Sequence, residues 1–344
     1  MELYNLEFPA DEIRRAGAAG RLLSLESEFS RRCNFRCIYC YVENRSAAPD
    51  ELSPDEAKGV ILQAKALGAR KIIILGGEPS IYPGLPEMLD FIAAQGMGME
   101  IFTNGSGVTE DLAAQLARLR VRVALKLNSR DPNLQDRLAG KKGAAALIDA
   151  ALSRLRKAGY PKDGLFLALS TVICRQNLAE LPGLWRWMRR EGLEPYFEVI
   201  TPQGHAREHD DLSVSAPELR RLFEELSRMD REDFGRVWTP QPPLAGNRCM
   251  RHQVSCLVTA TGEVMPCVGI TLSQGNIRER PLADILRDSP IIRDLKHYRA
   301  TIKPPCRDCD QAAECYGCRG AAFQLTGDPL AADPTCWKAV RSEE

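Results

Sequence analysis

Cys33-Asn34-Phe35-Arg36-Cys37-Ile38-Tyr39-Cys40 places three thiols at the spacing C-x3-C-x2-C. The stretch shows neither the two-residue alternation of a strand nor a helical stripe, so it reads as a loop. A short loop with this spacing can wrap three thiolates around one face of a cubane iron–sulfur cluster, which ordinarily takes four cysteines. Three ligands leave one iron open, and an open iron is a place for a substrate or cofactor to bind. The competing reading is a zinc knuckle, but zinc sites ordinarily pair two C-x2–4-C units and this loop offers only three thiols.

Working outward, Arg21–Phe29 reads as a strand that runs directly into the loop. Downstream, Ser53-Pro54-Asp55-Glu56 is a helix start, with serine as N-cap, proline in the first helical position and acids in the first turn. That helix is expected to run to about Leu67 and stop at Gly68. Lys71-Ile72-Ile73-Ile74-Leu75 is a short apolar run of the kind found in a strand buried on both faces, and it ends in Gly76-Gly77-Glu78-Pro79. Further strands are expected at 99–103, 121–127, 165–173 and 196–200, with helices near 85–95, 109–119, 143–158 and 178–191. Strands alternating with helices in this way call for parallel βαβ units with right-handed crossovers, and an open (β/α)6 barrel satisfies the pattern.

The cysteine loop followed by Gly76-Gly77-Glu78-Pro79 resembles the radical S-adenosylmethionine (radical SAM) enzymes. The resemblance implies an α/β fold with a partial (β/α)6 barrel. It implies that Cys33, Cys37 and Cys40 hold a [4Fe–4S] cluster whose open iron chelates the amino and carboxylate groups of SAM. Reduction would then split SAM into methionine and a 5′-deoxyadenosyl radical. By the same resemblance Tyr39 packs on the adenine, and Gly76, Gly77, Glu78 and Pro79 form the motif facing the SAM amino group. Lys126 and Asn128 end a strand where many relatives carry a serine and an acid; here they would meet the SAM carboxylate and ribose. Thr171–Ile173 and Asn177 stand where relatives orient the adenine. Two further residues are candidates for the chemistry itself. Glu198 lies in an apolar strand and is costly to bury unpaired, so it is either a substrate or SAM contact or half of a structural ion pair. Cys174 ends the fifth strand and is either a hydrogen donor or an inert buried thiol.

The chain has twelve cysteines, and eight of them lie between 249 and 336. Cys249-x12-Gly262-x4-Cys267, then Cys306-x2-Cys309-x5-Cys315-x2-Cys318, then Cys336 resemble the SPASM extension of radical SAM enzymes, with Cys256 as an eighth thiol. The resemblance implies two auxiliary [4Fe–4S] clusters. Cys249, Cys256, Cys267 and Cys318 would hold the nearer, and Cys306, Cys309, Cys315 and Cys336 the farther. The gap between Cys315 and Cys318 is one residue shorter than usual, which leaves their division between clusters open, and C-x2-C pairs are also zinc ligands.

Domain organisation follows from these landmarks: a lead-in over 1–20, the barrel over 21–205, a bridging helix and proline-rich linker over 206–248, and a cluster domain over 249–344. The bridging helix is expected at Val214–Met229. Beyond 249 the hydrophobic pattern is thin outside Pro281–Leu286 and Ile291–Tyr298, so metal is expected to supply much of that domain's folding energy. Of 344 residues, 46 are Lys or Arg and 46 Asp or Glu, a balance that gives no basic footprint for nucleic acid. No window is apolar enough for a membrane span, and the N-terminus lacks the basic-then-apolar order of a signal peptide. The expected location is the cytoplasm, where clustered cysteines mean metal more often than disulfides.

The function expected from the resemblance is abstraction of hydrogen from a peptide or protein, as in peptide maturation or crosslinking. The alternative is radical modification of a tetrapyrrole or other small molecule in haem-type cofactor synthesis. A non-catalytic iron–sulfur electron carrier is the remote third, and it would need neither the open iron nor the Gly-Gly-Glu-Pro turn. Expected partners are the substrate, an electron donor such as a ferredoxin or flavodoxin, and a separate peptide-recognition protein, because residues 1–20 are too few for a recognition domain.

Overall fold

The computed structural model describes residues 3–4, 8–42, 46 and 48–338. A small antiparallel hairpin, β1 (Leu3–Tyr4) and β2 (Phe8–Pro9), precedes helix α1 (Ala10–Ala18). The six expected strands are present as β3 (Ser24–Glu28), β4 (Lys71–Leu75), β5 (Gly98–Thr103), β6 (Arg122–Lys126), β7 (Leu167–Ile173) and β8 (Glu194–Val199). They run parallel in sequence order. Between them lie α2 (Pro54–Ala66), α3 (Leu85–Ala94), α4 (Glu110–Arg118), α5 (Pro132–Ala139), α6 (Ala144–Lys157) and α7 (Leu181–Arg190). Helix α2 begins as its sequence dictates: Ser53 and Glu56 form a reciprocal capping box, with Pro54 in the first turn.

The sheet is a curved, open one. Among the described residues its order is β11-β10-β3-β4-β5-β6-β7-β8-β9, and β11 and β9 are its free edges. The added strands come from the second half of the chain. β9 (Leu244–Ala245) pairs antiparallel with β8; β10 (Leu257–Val258) pairs parallel with β3; β11 (Val264–Met265) pairs antiparallel with β10. The segment that carries the C-terminal cysteines is thus stitched into the barrel sheet through β10.

The two faces of each barrel strand do different work. Leu25, Ile72, Ile74, Ile101, Val123, Leu125, Leu169 and Phe197 join the large core beneath the surrounding helices. Alternate residues point inward, and several are charged: Glu26, Lys71 and Glu100 are at most 3% exposed. The run Lys71–Leu75 looked uniformly buried, and the reason is now specific. Its outward side chains meet helices, whereas Ile73 and Leu75 line a cavity inside the barrel.

Two expectations are corrected. Residues 1–20 are more than a lead-in. Ile13 and Ala16 of α1 pack with Leu23, Met250, Val254, Tyr298, Ile302 and Tyr316, so α1 bridges barrel and C-terminal region. The C-terminal region also has apolar packing. Val258, Val264, Leu282 and Ile285 enter the main core, and Cys267, Ile270 and Leu295 form a smaller cluster. The pattern was invisible because two-residue strands and the short helices α9 (Arg251–Val254), α10 (Leu282–Asp288), α11 (Pro290–Lys296) and α12 (Tyr298–Thr301) contribute apolar residues singly.

The bridging helix α8 extends from Ala216 to Phe234, longer than its expected span. Its fully buried Asp230 accepts hydrogen bonds from Trp185 Nε1 at 2.7 Å, Arg189 Nε at 3.0 Å and Nη2 at 2.8 Å, and Trp238 Nε1 at 2.9 Å. One carboxylate thereby ties α7, α8 and the proline-rich linker together.

Candidate active site at the mouth of the barrel

The cysteine loop leaves β3 and is pinned by backbone on three sides. Gly77 N donates to Ser30 O at 2.8 Å and Glu78 N to Arg32 O at 2.7 Å, fastening the loop to the end of β4. Arg36 N and Ile38 N donate to Ala139 O and Leu138 O at 3.0 and 3.1 Å, fastening it to the end of α5. His205 N donates to Cys40 O at 2.9 Å, from the turn after β8. Glycines permit these approaches: a Cβ would come within 2.2 Å of Arg32 O at Gly77, 2.0 Å of Arg36 O at Gly140 and 2.5 Å of Cys40 O at Gly204. In the sequence the only local signal of either Gly140 or Gly204 is Gly140 as a helix-ending glycine, and the pattern does not mark out α5 itself.

Glu78 is 3% exposed and turned inward. Its carboxylate accepts from Ser80 N at 2.8 Å, from Asn104 N at 2.5 Å and from the Thr103 hydroxyl, bracing the end of β4 against the end of β5. Burial pushes its pKa up, while those bonds oppose the rise. Pro79 is buried in the short turn that follows. Gly76, Gly77 and Glu78 all face a cavity of about 260 Å³ inside the barrel, whose rim also carries Cys33, Cys37, Cys40 and Tyr39. Burial pushes the Cys37 thiol up to about 12, and the neighbouring thiols of Cys40 and Cys33 add to the rise. Three thiols crowded on one rim, beside a backbone that only glycine can form, fit a group that takes three thiolates and leaves one position facing the cavity.

Lys126 and Glu198 meet on the cavity wall. Lys126 Nζ donates to Glu198 Oε1 at 3.2 Å and to Ser170 Oγ at 3.1 Å, and lies 5.4 Å from the Tyr39 ring centroid. Asn128 stands behind Tyr39: fully buried, it donates to the Tyr39 hydroxyl at 2.5 Å and accepts from Val172 N at 2.8 Å. Asn177 backs Asn128 in turn, donating to its carbonyl at 2.9 Å. Cys174 is fully buried beside Leu138 and Leu212, and burial raises its pKa.

The C-terminal thiols fall into groups. Cys306, Cys309, Cys315 and Cys336 surround one small pocket walled by Pro240, Pro242 and Trp337. Backbone N–H groups point at three of these sulfurs: Asp333 N at Cys306 Sγ, 3.3 Å; Gln311 N at Cys309 Sγ, 3.5 Å; and Gly317 N at Cys315 Sγ, 3.3 Å. Burial pushes the Cys267 thiol up to about 12, and the Cys318 and Cys249 thiols lie close enough to raise it further. Cys318 Sγ caps α13 (Arg319–Thr326) by accepting Ala321 N at 3.3 Å. Cys256 is buried where β10 meets β3, with Glu26 and Lys296 as its charged neighbours.

A model of the radical SAM superfamily matches residues 27–188, and one of the SPASM iron–sulfur cluster-binding domain matches residues 249–310. The chain is a radical SAM enzyme with a SPASM domain. The AdoMet-dependent heme synthase of Methanosarcina barkeri is 26% identical over 337 residues, covering 90% of this chain and 94% of that protein. The mycofactocin maturase MftC of Mycolicibacterium smegmatis is 28% identical over 346 residues, covering 94% and 85%. Streptococcus suis SuiB, in its complex with the precursor peptide SuiA, superposes with a TM-score of 0.73 at 17% identity, over 98% of this chain and 84% of that one, a likeness of fold.

Radical SAM and SPASM domains imply iron–sulfur clusters and bound SAM, which together supply a carbon radical that removes hydrogen from a substrate. This radical SAM chain contributes the rigid setting. The Gly77, Gly140 and Gly204 contacts hold the cysteine loop, Asn128 fixes the Tyr39 ring, and Lys126 presents a positive charge on the cavity wall. No helix among the described residues is long and apolar enough to cross a membrane.

Proposed function

We propose that this enzyme modifies a peptide or protein by radical hydrogen abstraction, using three [4Fe–4S] clusters. Cys33, Cys37 and Cys40 hold the cluster that binds SAM. Cys249, Cys256, Cys267 and Cys318 hold the near auxiliary cluster, and Cys306, Cys309, Cys315 and Cys336 the far one. Tyr39, Gly76 and Gly77 line the SAM site, Glu78 and Pro79 shape its turn, and Asn128 acts on it through Tyr39. Lys126 exchanges Glu198 for the SAM carboxylate. The observation that carries the reading is the composition of one cavity wall. The cavity is rimmed by Cys33, Cys37 and Cys40 and closed on another side by Asn247, Arg251 and Val268, neighbours in sequence of Cys249 and Cys267. A substrate held there lies between the SAM site and the near auxiliary cluster, which suits removal of the electron left after hydrogen abstraction. The similarity to a mycofactocin maturase supports a peptide substrate. The barrel over 21–205 and the cluster domain over 249–344 work in the cytoplasm with a ferredoxin or flavodoxin as reductant and a separate peptide-recognition protein.

A second reading is favoured by one observation, the match over 94% of an AdoMet-dependent heme synthase: the substrate is then a tetrapyrrole. Anaerobically reconstituted enzyme with dithionite and SAM separates the two. Release of 5′-deoxyadenosine stimulated by peptides encoded beside its gene, with a mass change in the peptide, supports the first reading. Stimulation by an iron porphyrin carrying propionates, with loss of carboxyl mass, replaces it with the second.

A further inference from the structure

Three residues that line the same cavity each carry a buried polar atom with no hydrogen-bond partner among the described residues: Glu100 Oε1, Asn247 Nδ2 and Arg251 Nε. Each belongs to a side chain that is otherwise engaged. Glu100 is 3% exposed and its other oxygen takes Lys71 Nζ at 3.0 Å. Arg251 Nη1 pairs with Glu26 Oε1 at 3.1 Å. Asn247 Oδ1 accepts from Arg248 N at 2.8 Å. The engaged halves hold the side chains in place, and all three side chains line the cavity. Leaving a buried polar atom unpaired is destabilising, more so for a charged group, so the wall is organised around something it is meant to bind.

The inventory of idle atoms is specific: one acceptor and two donors. An amide carries one N–H, which donates once, and one carbonyl oxygen with two lone pairs, which accepts twice. We infer that Glu100, Asn247 and Arg251 form an amide-recognition subsite that seats one peptide bond or side-chain carboxamide of the substrate, the N–H on Glu100 and the carbonyl on Asn247 and Arg251. The inference rests on the peptide reading above and deepens it. A carboxylate satisfies the two donors but has no proton for Glu100 and sets its own charge against that carboxylate. An ester lacks the N–H altogether. The subsite therefore discriminates by hydrogen-bond count, a form of selection stronger than apolar fit because a wrong ligand leaves buried groups unpaired.

Ligand-observed NMR on the anaerobically reconstituted full chain tests this with three small probes, N-methylacetamide, methyl acetate and propionate. The amide is expected to bind about fivefold or more tightly than the ester, as one charge-assisted hydrogen bond allows. Asn247→Ala and Glu100→Gln are each expected to lower amide affinity about threefold or more and to narrow its lead over the ester. Glu100→Gln removes the carboxylate charge beside the buried Lys71 Nζ, so where that variant fails to fold, Asn247→Ala alone decides. Equal binding of amide and ester, an unchanged amide affinity in Asn247→Ala, or no detectable binding of any probe overturns the subsite. The peptide reading survives these results if a peptide still stimulates 5′-deoxyadenosine release and changes mass. Propionate binding tightest, and weakened in Asn247→Ala, overturns the subsite and counts against the peptide reading as well.

Discussion

The cysteine loop of the barrel and the last four-cysteine pocket hold their thiols by opposite means. Cys33, Cys37 and Cys40 sit in a loop whose backbone is fastened to β4, α5 and the turn after β8, each attachment made by hydrogen bonds and a glycine that no larger residue could replace without displacement. Cys306, Cys309, Cys315 and Cys336 lie in a stretch with no strand and one short helix, against prolines and Trp337, with Tyr316 packed in the α1 cluster and Phe323 and Leu330 on Cys267, Ile270 and Leu295. In the first region the fold positions the ligands. In the second the apolar anchors are sparser, and metal held by the four thiols is expected to position the chain between them. Residues 249–302 belong with the first region in this respect, because their short elements pack on α1, α2 and β3. Metal dependence of folding should therefore be greatest in the segment after Ile302.

The largest effect expected is loss of structure in that segment. Replacing Cys306 and Cys309 by alanine removes two ligands from one site, and metal binding in such a segment is folding energy, about 10 kcal/mol or more where structural metal has been measured. Hydrogen exchange should show residues 303–338 unprotected while 249–302 stays protected; uniform loss across 249–338 would erase the distinction. Asp230→Ala comes next. It leaves Arg189, whose side chain is 4% exposed, with Glu194 as its remaining carboxylate and takes the acceptor from Trp185 and Trp238; breaking such a buried pair costs about 3–5 kcal/mol, and chemical denaturation should register it with no change in iron content.

Gly77→Ala sharpens the comparison from the other side. The added methyl meets Arg32 O, and forcing atoms into a packed site costs about 1–3 kcal/mol. Iron should fall by about 4 of about 12 atoms per chain, the content of one cubane in three, with the C-terminal segment intact. Lys126→Ala should weaken SAM by about 1.5–3 kcal/mol if it makes a charge-assisted bond to the carboxylate, leaving iron unchanged; equal SAM affinity by calorimetry would remove Lys126 from the site. Cys174→Ala is the smallest. Shortening a buried thiol to a methyl should cost about 1 kcal/mol, while 5′-deoxyadenosine and product form as before; loss of product with intact SAM cleavage would make Cys174 a hydrogen donor after all.

Local chemistry was readable without coordinates wherever it rests on residues near one another in the chain. The spacing of Cys33, Cys37 and Cys40, the Ser53 helix cap, the strand Lys71–Leu75 and its Gly-Gly-Glu-Pro turn, and the β/α alternation are all set by side-chain period and turn chemistry. These decided the barrel and the identity of the metal-ligating candidates. Only the tertiary structure decided what those pieces face. Glu198 meets Lys126 from two strands away, and Asn128 meets Tyr39 across the barrel mouth. The loop's glycine clamps come from Gly140 and Gly204, far along the chain. Glu100, Asn247 and Arg251 share a cavity although β5 and α9 lie in different halves of the sequence. None of these has a local signature, because a hydrogen bond or a close approach between distant residues leaves no periodic trace. The two-residue strands β9, β10 and β11 are the extreme case: too short to alternate, β9 and β10 became strands because the edges of the parallel sheet offered them partners, and β11 because β10 did.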